Sequence, residues 1–274
     1  MINLFNYIDR KSPVHALTGA TKLVFLILWM AAAMLTYDTR LLVILSVFSL
    51  ILFRVSRIRL KDVSFMLAFT LLFLVMNNAL IYLFSPNHGT EIYGTCTVLF
   101  GKGRYALTKE QLFYHLNLLL KYLATIPIVI LFVSTTNPSE FAASLNRIHV
   151  PYSIAYSVAL ALRYIPDIQR EYVEISQAQQ ARGIEMSKKV SLGKRLKAAS
   201  AILVPLILSS MDRIDIISNA MELRGFGKNK KRTWYMARAF TKADYAAMLV
   251  SALLLAVSVA LNVVNGGRFW NPFV

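Results

Sequence analysis

The sequence has few charged side chains and almost no cysteine. Charged residues make up 16% of its 274 positions, whereas a soluble domain has about a quarter. Together with 57% apolar residues and a mean hydropathy of +0.53, this deficit indicates a membrane protein. The single cysteine, Cys96, excludes an intramolecular disulfide and a cysteine-based metal cluster.

Acidic side chains are also scarce, so the net charge is +16, and it is unevenly spread. Residues 134–242 contain seventeen Lys and Arg against eight Asp and Glu, whereas residues 62–101 contain no Lys or Arg. Because an excess of Lys and Arg beside membrane spans marks the cytoplasmic side, we expect residues 134–242 to lie in the cytoplasm.

Long apolar runs predict five membrane-spanning helices, since a span needs about 20 apolar residues. The predicted spans are two in a hairpin within 22–54, followed by 64–84, 111–133 and 245–264. Lys121, inside the fourth span, is expected to snorkel or to face other helices. The basic loop 53–61 should lie inside, which places the N-terminus in the cytoplasm and the C-terminus outside, with loop 85–110 also outside.

The predicted fold class is an all-α polytopic membrane protein with two long cytoplasmic or interfacial helices. We expect a four-span membrane domain over 1–133, a cytoplasmic domain over 134–242, and a last span with its tail over 243–274. The apolar runs 148–162 and 198–211, of about 15 residues each, are shorter than full spans. If both crossed the membrane, the basic segment between them would lie outside, against the charge bias.

A repeated motif ends the two predicted long helices, which run from about Pro151 to Arg182 and from about Lys197 to Arg224. "AQQARGIEM" at 178–186 and "AMELRGFGK" at 220–228 both contain Ala-x-x-x-Arg-Gly. One interpretation is structural, because glycine favours the position just past a helix end and arginine interacts well with the last turn.

The helical spacing favours a second interpretation, in which both arginines continue apolar stripes. The predicted inward-facing stripes are Ile168, Tyr172, Ile175, Gln179 and Arg182 in the first helix, and Ile214, Ile217, Met221 and Arg224 in the second. No acidic cluster in the chain is an obvious mate for either arginine, and burying an unpaired charge costs several kcal/mol. We therefore expect two docking points for carboxylates of a partner, and the pair suits a dimeric partner.

The sequence resembles the transmembrane T components of energy-coupling factor (ECF) transporters, the EcfT/CbiQ group. "VPYSIAYSVALALRYIPDIQREYVEISQAQQARG" looks like the first signature of that family, and "VPLILSSMDRIDIISNAMELRGFGKNKKRTWY" looks like the second. The N-terminal "SPVHALTGATKL" is more loosely similar to the segment before the first span. By position, the resemblance implies ATPase docking by Ala181-Arg182-Gly183 and Leu223-Arg224-Gly225, with leucine in the second motif where the family has alanine.

The resemblance further implies a subunit without chemistry of its own. Two ABC-type ATPase subunits would bind ATP and magnesium, and their closure would move the two helix ends and reorient a substrate-binding membrane S component. No catalytic residue, cofactor, metal or nucleic acid is expected for this chain. The expected contacts with the S component are Tyr152, Ile154, Tyr156, Val158, Leu203, Leu206 and Leu208, unless these apolar runs pack on the chain's own membrane helices.

Two other function classes are less consistent with the sequence. A self-contained carrier is disfavoured because the predicted spans contain no Asp or Glu apart from Asp244 at an entrance. A membrane-embedded enzyme is disfavoured because no catalytic constellation converges, and the four histidines are scattered. Asn77 and Asn78 are interpreted as helix–helix hydrogen-bond partners, and the basic cluster 228–232 as a membrane-side anchor, with contact to the ATPase or to lipid headgroups as the alternative.

Overall fold

The structure, a computed structural model, describes residues 10, 12–101, 103, 105–184, 191–228, 234 and 238–273. Its helices are α1 Pro13–Ala16, α2 Gly19–Leu35, α3 Thr39–Val55, α4 Ser64–Phe84, α5 His88–Tyr93, α6 Lys109–Thr135, α7 Pro138–Arg147, α8 Tyr152–Ala181, α9 Leu192–Leu223 and α10 Lys242–Val264. A 3-10 turn covers Leu60–Asp62, and two short antiparallel strands cover Val98–Phe100 and Leu107–Thr108. The prediction of an all-α membrane protein is confirmed.

The chain forms two compact units. The membrane unit comprises Met1–Asn137 with Arg238–Val274, and the motif unit comprises Pro138–Ala237. The membrane unit contains α1 to α6 and α10, and the motif unit contains α7, α8 and α9.

Contacts within the membrane unit define its first end. Arg10 forms an ion pair with Asp62 at 2.7 Å, so Arg10 lies against the basic loop before α4. The backbone N–H of Thr18, before α2, donates to the carboxylate of Asp244 in α10 at 2.8 Å. The N-termini of α2, α4 and α10 and the C-terminus of α3 therefore share this end.

The second end carries the turns predicted to lie outside. The backbone N–H of Tyr37, between α2 and α3, donates to the carbonyl of Arg268 at 2.8 Å. Asn271 donates to the carbonyl of Tyr93 in α5 at 3.0 Å. Five helices (α2, α3, α4, α6 and α10) therefore run alternately between the two ends of the unit.

Three of these helices meet the length and composition needed to cross a membrane: Ser64–Phe84, Lys109–Thr135 and Lys242–Val264. Gly19–Leu35 is apolar but has only 17 residues, and α3 also has 17. The chain is a multi-pass membrane protein. The five-span topology and the inside-to-outside orientation stay predictions.

Helix α6 is the centre of the membrane unit. The indole Nε1 of fully buried Trp29 donates to the carbonyl of Ala124 at 2.9 Å. The hydroxyls of Ser46 and Ser49 in α3 also donate to α6 carbonyls, each at 2.9 Å. Interhelix hydrogen bonds and small side chains associate helices where lipid provides no hydrophobic driving force.

Lys121, Asn78 and His115, polar side chains within the spans, face other helices. Lys121 is buried, its Nζ donates to the carbonyl of Met34 at 3.1 Å, and it lies 3.6 Å from the centroid of the Tyr37 ring. Asn78 in α4 shares a hydrogen bond of 2.9 Å with His115 in α6. The interpretation of Asn78 as a helix–helix partner is confirmed.

The turn between α2 and α3 is fixed by a buried carboxylate. Asp38 is fully buried, accepts hydrogen bonds from the backbone and guanidinium of Arg40, and accepts another from Asn265. Burial alone would raise the pKa of Asp38, but the hydrogen bonds from Arg40 and Asn265 outweigh it and lower that pKa below its usual value.

This arrangement predicts a pH-dependent loss of stability. Asp38→Asn should lower the free energy of unfolding by about 2 kcal/mol at pH 7, because it removes hydrogen bonds to a charged acceptor. A lowered carboxyl pKa stabilises the fold above the unfolded pKa of about 3.9, and that stability is lost as pH falls through the folded pKa. In thermal unfolding in detergent, the difference in unfolding temperature between the native chain and Asp38→Asn should therefore shrink below about pH 4.

Asp215→Asn is the matched control, because this aspartate is exposed on α9. It should change the unfolding temperature little at either pH. If the difference in unfolding temperature between the native chain and Asp38→Asn stays constant from pH 7 to pH 3, the prediction is contradicted.

Candidate partner-docking site

Helices α8 and α9 are antiparallel within the motif unit. Glu171 pairs with Arg213 at 2.8 Å, about two thirds of the way along both helices. Further along α8, Gln179 donates to the carbonyl of Ala201 at 3.1 Å, near the start of α9. Contacts that move forward along one helix and backward along the other define opposite directions. The two Arg-Gly motifs therefore lie at opposite ends of the helix pair.

Both long helices agree with the predicted ends. The sequence predicted ends at Arg182 and Arg224, and these residues are the C-caps of α8 and α9. Both helices continue through an internal proline, Pro166 or Pro205. Helix α9 starts at Leu192, five residues before the predicted Lys197.

The first Arg-Gly end is a Schellman motif. After the C-cap Arg182, the N–H of Gly183 donates to the carbonyl of Gln180 at 3.0 Å, and the N–H of Ile184 donates to that of Gln179 at 3.1 Å. Gly183 has φ +86°, the left-handed conformation that this motif needs.

The second Arg-Gly end has the same geometry. After the C-cap Arg224, the N–H of Gly225 donates to the carbonyl of Glu222 at 2.8 Å, and the N–H of Phe226 donates to that of Met221 at 2.9 Å. Gly225 has φ +66°. The glycines thus end the helices, as the structural interpretation predicted, and both arginines leave their helices at the same position of the same motif.

The predicted docking residues are accessible. Ala181, Arg182, Gly183, Leu223 and Arg224 are exposed, and Gly225 is half-buried. Within the described part of the chain, neither guanidinium has an ion pair or a hydrogen bond. Both arginines are therefore available to a partner.

The prediction of inward-facing stripes on the two long helices was partly wrong. Ile168, Tyr172 and Ile214 are 38%, 43% and 62% exposed. The face of α9 that the unit covers instead includes buried Ile202 and Leu206 and continues towards Arg213. An apolar stripe need not be buried where helices cover it from one side only, and the sequence does not reveal which side that is.

The residues predicted to contact an S component fall into two sets. Tyr152 and Tyr156 pack on Phe226, with ring centroids 5.8 and 4.7 Å apart, and Leu206 is buried. The members that remain about half accessible are Ile154, Leu203 and Leu208, at 53%, 49% and 57% exposure. Val158 is half-buried.

Tyr152 and Tyr156 belong to an aromatic cluster, not expected from the sequence, that anchors the second Arg-Gly end. The ring of Trp234 lies 5.3 Å from that of Tyr152, and its Nε1 donates to the Asn146 side chain at 3.1 Å. Phe226, two residues after Arg224, packs on the same tyrosines. The spacing of Tyr152 and Tyr156, one helical turn apart, was the signal for a shared face.

Over the described ranges, no three His, Cys, Asp or Glu side chains lie close enough to hold a metal ion. The buried carboxylates in the helices of the membrane unit hold neighbouring segments through hydrogen bonds. Asp244 accepts from Thr18 and from Thr241, and Glu110 accepts from Thr95 and Thr97.

These features define a helical membrane component that exposes two like arginine ends on a separate compact unit. The chain belongs to the CbiQ family: the family model described as cobalt transport protein matches residues 10–235. The membrane component of a transporter is the class that this family defines.

Curated relatives cover nearly the whole chain. It is 26% identical over 269 residues to the energy-coupling factor transporter transmembrane protein EcfT of Exiguobacterium sibiricum, covering 95% of this chain and 98% of the relative. It is 25% identical over 260 residues to EcfT of Bacillus subtilis, covering 91% and 94%. The EcfT of Leuconostoc gelidum is 30% identical over 196 residues, covering 69% and 67%.

Proposed function

We propose that this chain is the coupling subunit of an ECF-type importer, transmitting the motion of two ABC-type ATPases to a substrate-binding membrane subunit. The observation that carries the proposal is the pair of Schellman ends that expose Arg182 and Arg224 in the same way. Two like sites on one chain suit two like partners. The names of the EcfT relatives support the same assignment.

The geometry of the helix pair constrains how the partners bind. The Glu171–Arg213 contact lies eleven residues before each arginine, which at 1.5 Å per residue is about 16 Å. The two arginines are therefore separated by about 30 Å along an antiparallel pair. Because both ends must reach ATPases on one side of the membrane, the helix pair lies along the membrane surface and does not cross it.

Each arginine suits a carboxylate in a groove of the partner. A guanidinium presents a planar set of donors that binds a carboxylate through two hydrogen bonds. The positive charge of segment 134–242 further attracts an acidic partner surface. When the ATPases close on ATP, the distance between their grooves changes and α8 and α9 move with them. ATP and magnesium belong to the partners.

The exposed apolar side chains of the motif unit are the proposed contact with the substrate-binding subunit. Ile154, Leu203 and Leu208 remain accessible to a membrane partner. Apolar contacts without directional hydrogen bonds allow a packed subunit to reorient. Tyr152, Tyr156 and Leu206 support this surface from within the unit.

Affinity purification of the tagged chain from its native membrane tests the proposal. Mass spectrometry should identify ABC-type ATPases and a further small membrane protein, and the complex should hydrolyse ATP while the isolated chain does not. The same purification from a strain that carries the untagged chain provides the background. Substrate transport by the isolated chain in vesicles would contradict a coupling role.

A further inference from the structure

An ion pair joins α8 to α9 about two thirds of the way along each helix. One carboxylate oxygen of Glu171 accepts from Arg213 at 2.8 Å, and the other accepts from the hydroxyl of Ser209. The two charged side chains are 18% and 35% exposed, against 39% and 74% for the Asp167–Arg170 pair within α8. Partial removal of water strengthens an ion pair relative to an exposed one.

The position of this pair relative to the docking arginines is symmetric. Glu171 lies eleven residues before Arg182, and Arg213 lies eleven residues before Arg224. Eleven residues are about three helical turns, so each charged residue shares a helix face with the arginine that follows it. The offset of forty-two positions from Glu171 to Arg213 equals the offset from Arg182 to Arg224.

Glu171 and Arg213 therefore occupy equivalent positions in the two copies of the repeated motif. In an antiparallel pair of equivalent helices, a residue meets its own equivalent only beside the twofold axis that relates them. Opposite charges at these positions attract, whereas identical charges would repel. The ion pair thus marks a local twofold axis between the two docking ends.

We infer that the Glu171–Arg213 pair, with Ser209, is the pivot that sets the spacing of Arg182 and Arg224. The inference rests on the proposed coupling function. Sliding one helix by one residue, about 1.5 Å, would break the 2.8 Å contact, whereas rotation about it would not. A rotation of about 10° would move an arginine about 16 Å away by about 3 Å. The pair resists sliding and permits rotation, which suits transmission from two symmetric partners.

Distances between spin labels test the pivot. The full chain, with Cys96→Ser and cysteines placed at exposed Ala181 and Leu223, is labelled and measured in lipid nanodiscs by pulsed electron paramagnetic resonance. The native pair should give one narrow distance distribution. Glu171→Gln should broaden it, and the exchange Glu171→Arg with Arg213→Glu should restore a narrow one.

Matched variants separate a pivot from general stabilisation. Asp167→Asn removes an ion pair within α8 and should leave the distribution narrow. Ser209→Ala removes the hydrogen bond to Glu171 but keeps the ion pair. It should therefore broaden the distance distribution less than Glu171→Gln does, and it should leave the fold intact. A narrow distribution in Glu171→Gln or Ser209→Ala, or a broad one after the charge exchange, would overturn the inference.

The outcome is independent of the test of the proposed function. Retention of the ATPases after reversal of Arg182 and Arg224 would refute docking. The result of the spin-label distance measurement does not depend on that outcome. Conversely, the reversal of both arginines can remove the ATPases while Glu171→Gln leaves the distance distribution unchanged. That pair of results would support docking and refute the pivot.

Discussion

Reversal of both motif charges, Arg182→Glu with Arg224→Glu, is expected to abolish co-purification of the ATPases while the chain still inserts into the membrane. Both side chains are exposed and lie at C-caps, so their reversal breaks no side-chain hydrogen bond or ion pair within the described residues. Truncating one partner of a buried charge pair in an interface costs about 2–5 kcal/mol, and reversal adds repulsion. Since about 1.4 kcal/mol is tenfold in affinity, loss at both sites brings association below detection.

Quantitative pull-down from solubilised membranes measures this effect. Arg163→Glu with Arg195→Glu makes the same change in net charge at one exposed position of each long helix and should retain the ATPases. Each single reversal should leave partial binding, because one intact site still holds its partner while the gain from double attachment is lost. Full ATPase retention by the double variant would exclude arginine docking.

The sequence predicted the helix ends because local chemistry determines them. A glycine after an arginine at the end of a periodic segment satisfies the last helix carbonyls in one way, and that way is the Schellman motif found after Arg182 and Arg224. The order of the membrane helices was likewise accessible. The turn at Tyr37, the helix ending at Tyr93 and the C-terminal Asn271 were each assigned to the same side from charge bias, and contacts join them at one end of the membrane unit.

The faces of the long helices were not predictable in the same way. Ile214 is apolar yet 62% exposed, whereas the polar Glu171, at 18% side-chain exposure, lies between the helices. Whether an apolar side chain faces the chain's own helix or a partner depends on contacts distant in sequence. The Glu171–Arg213 pair had a signal, the same forty-two-residue offset as the motifs, but this offset acquires meaning only once the helices are known to be antiparallel.

The proposed docking requires each helix end to point its arginine at the ATPase. Substitution of the motif glycines, which set that direction, is therefore the second change expected to reduce ATPase binding strongly. Gly183→Val with Gly225→Val should reduce ATPase co-purification nearly as much as charge reversal, although both arginines remain. An L residue in the left-handed conformation costs about 1–2 kcal/mol, and a β-branched one more. Gly183 and Gly225 have φ of +86° and +66°, so valine would shift the backbone at each cap and redirect the adjacent guanidinium.

Steric crowding does not confound this test, because a Cβ at either glycine would meet no atom within 4 Å. Asparagine tolerates the left-handed conformation, so Gly183→Asn with Gly225→Asn should largely retain the ATPases. Gly193→Val is the matched control, since Gly193 lies within α9 without a positive φ and also has open space around it. Equal ATPase retention by the valine and asparagine variants would mean that the partner recognises only the positive charge of the arginines and not the direction of their guanidinium groups. Loss confined to the valine variant would show that the direction of the guanidinium, set by a left-handed glycine, decides whether the ATPase is held.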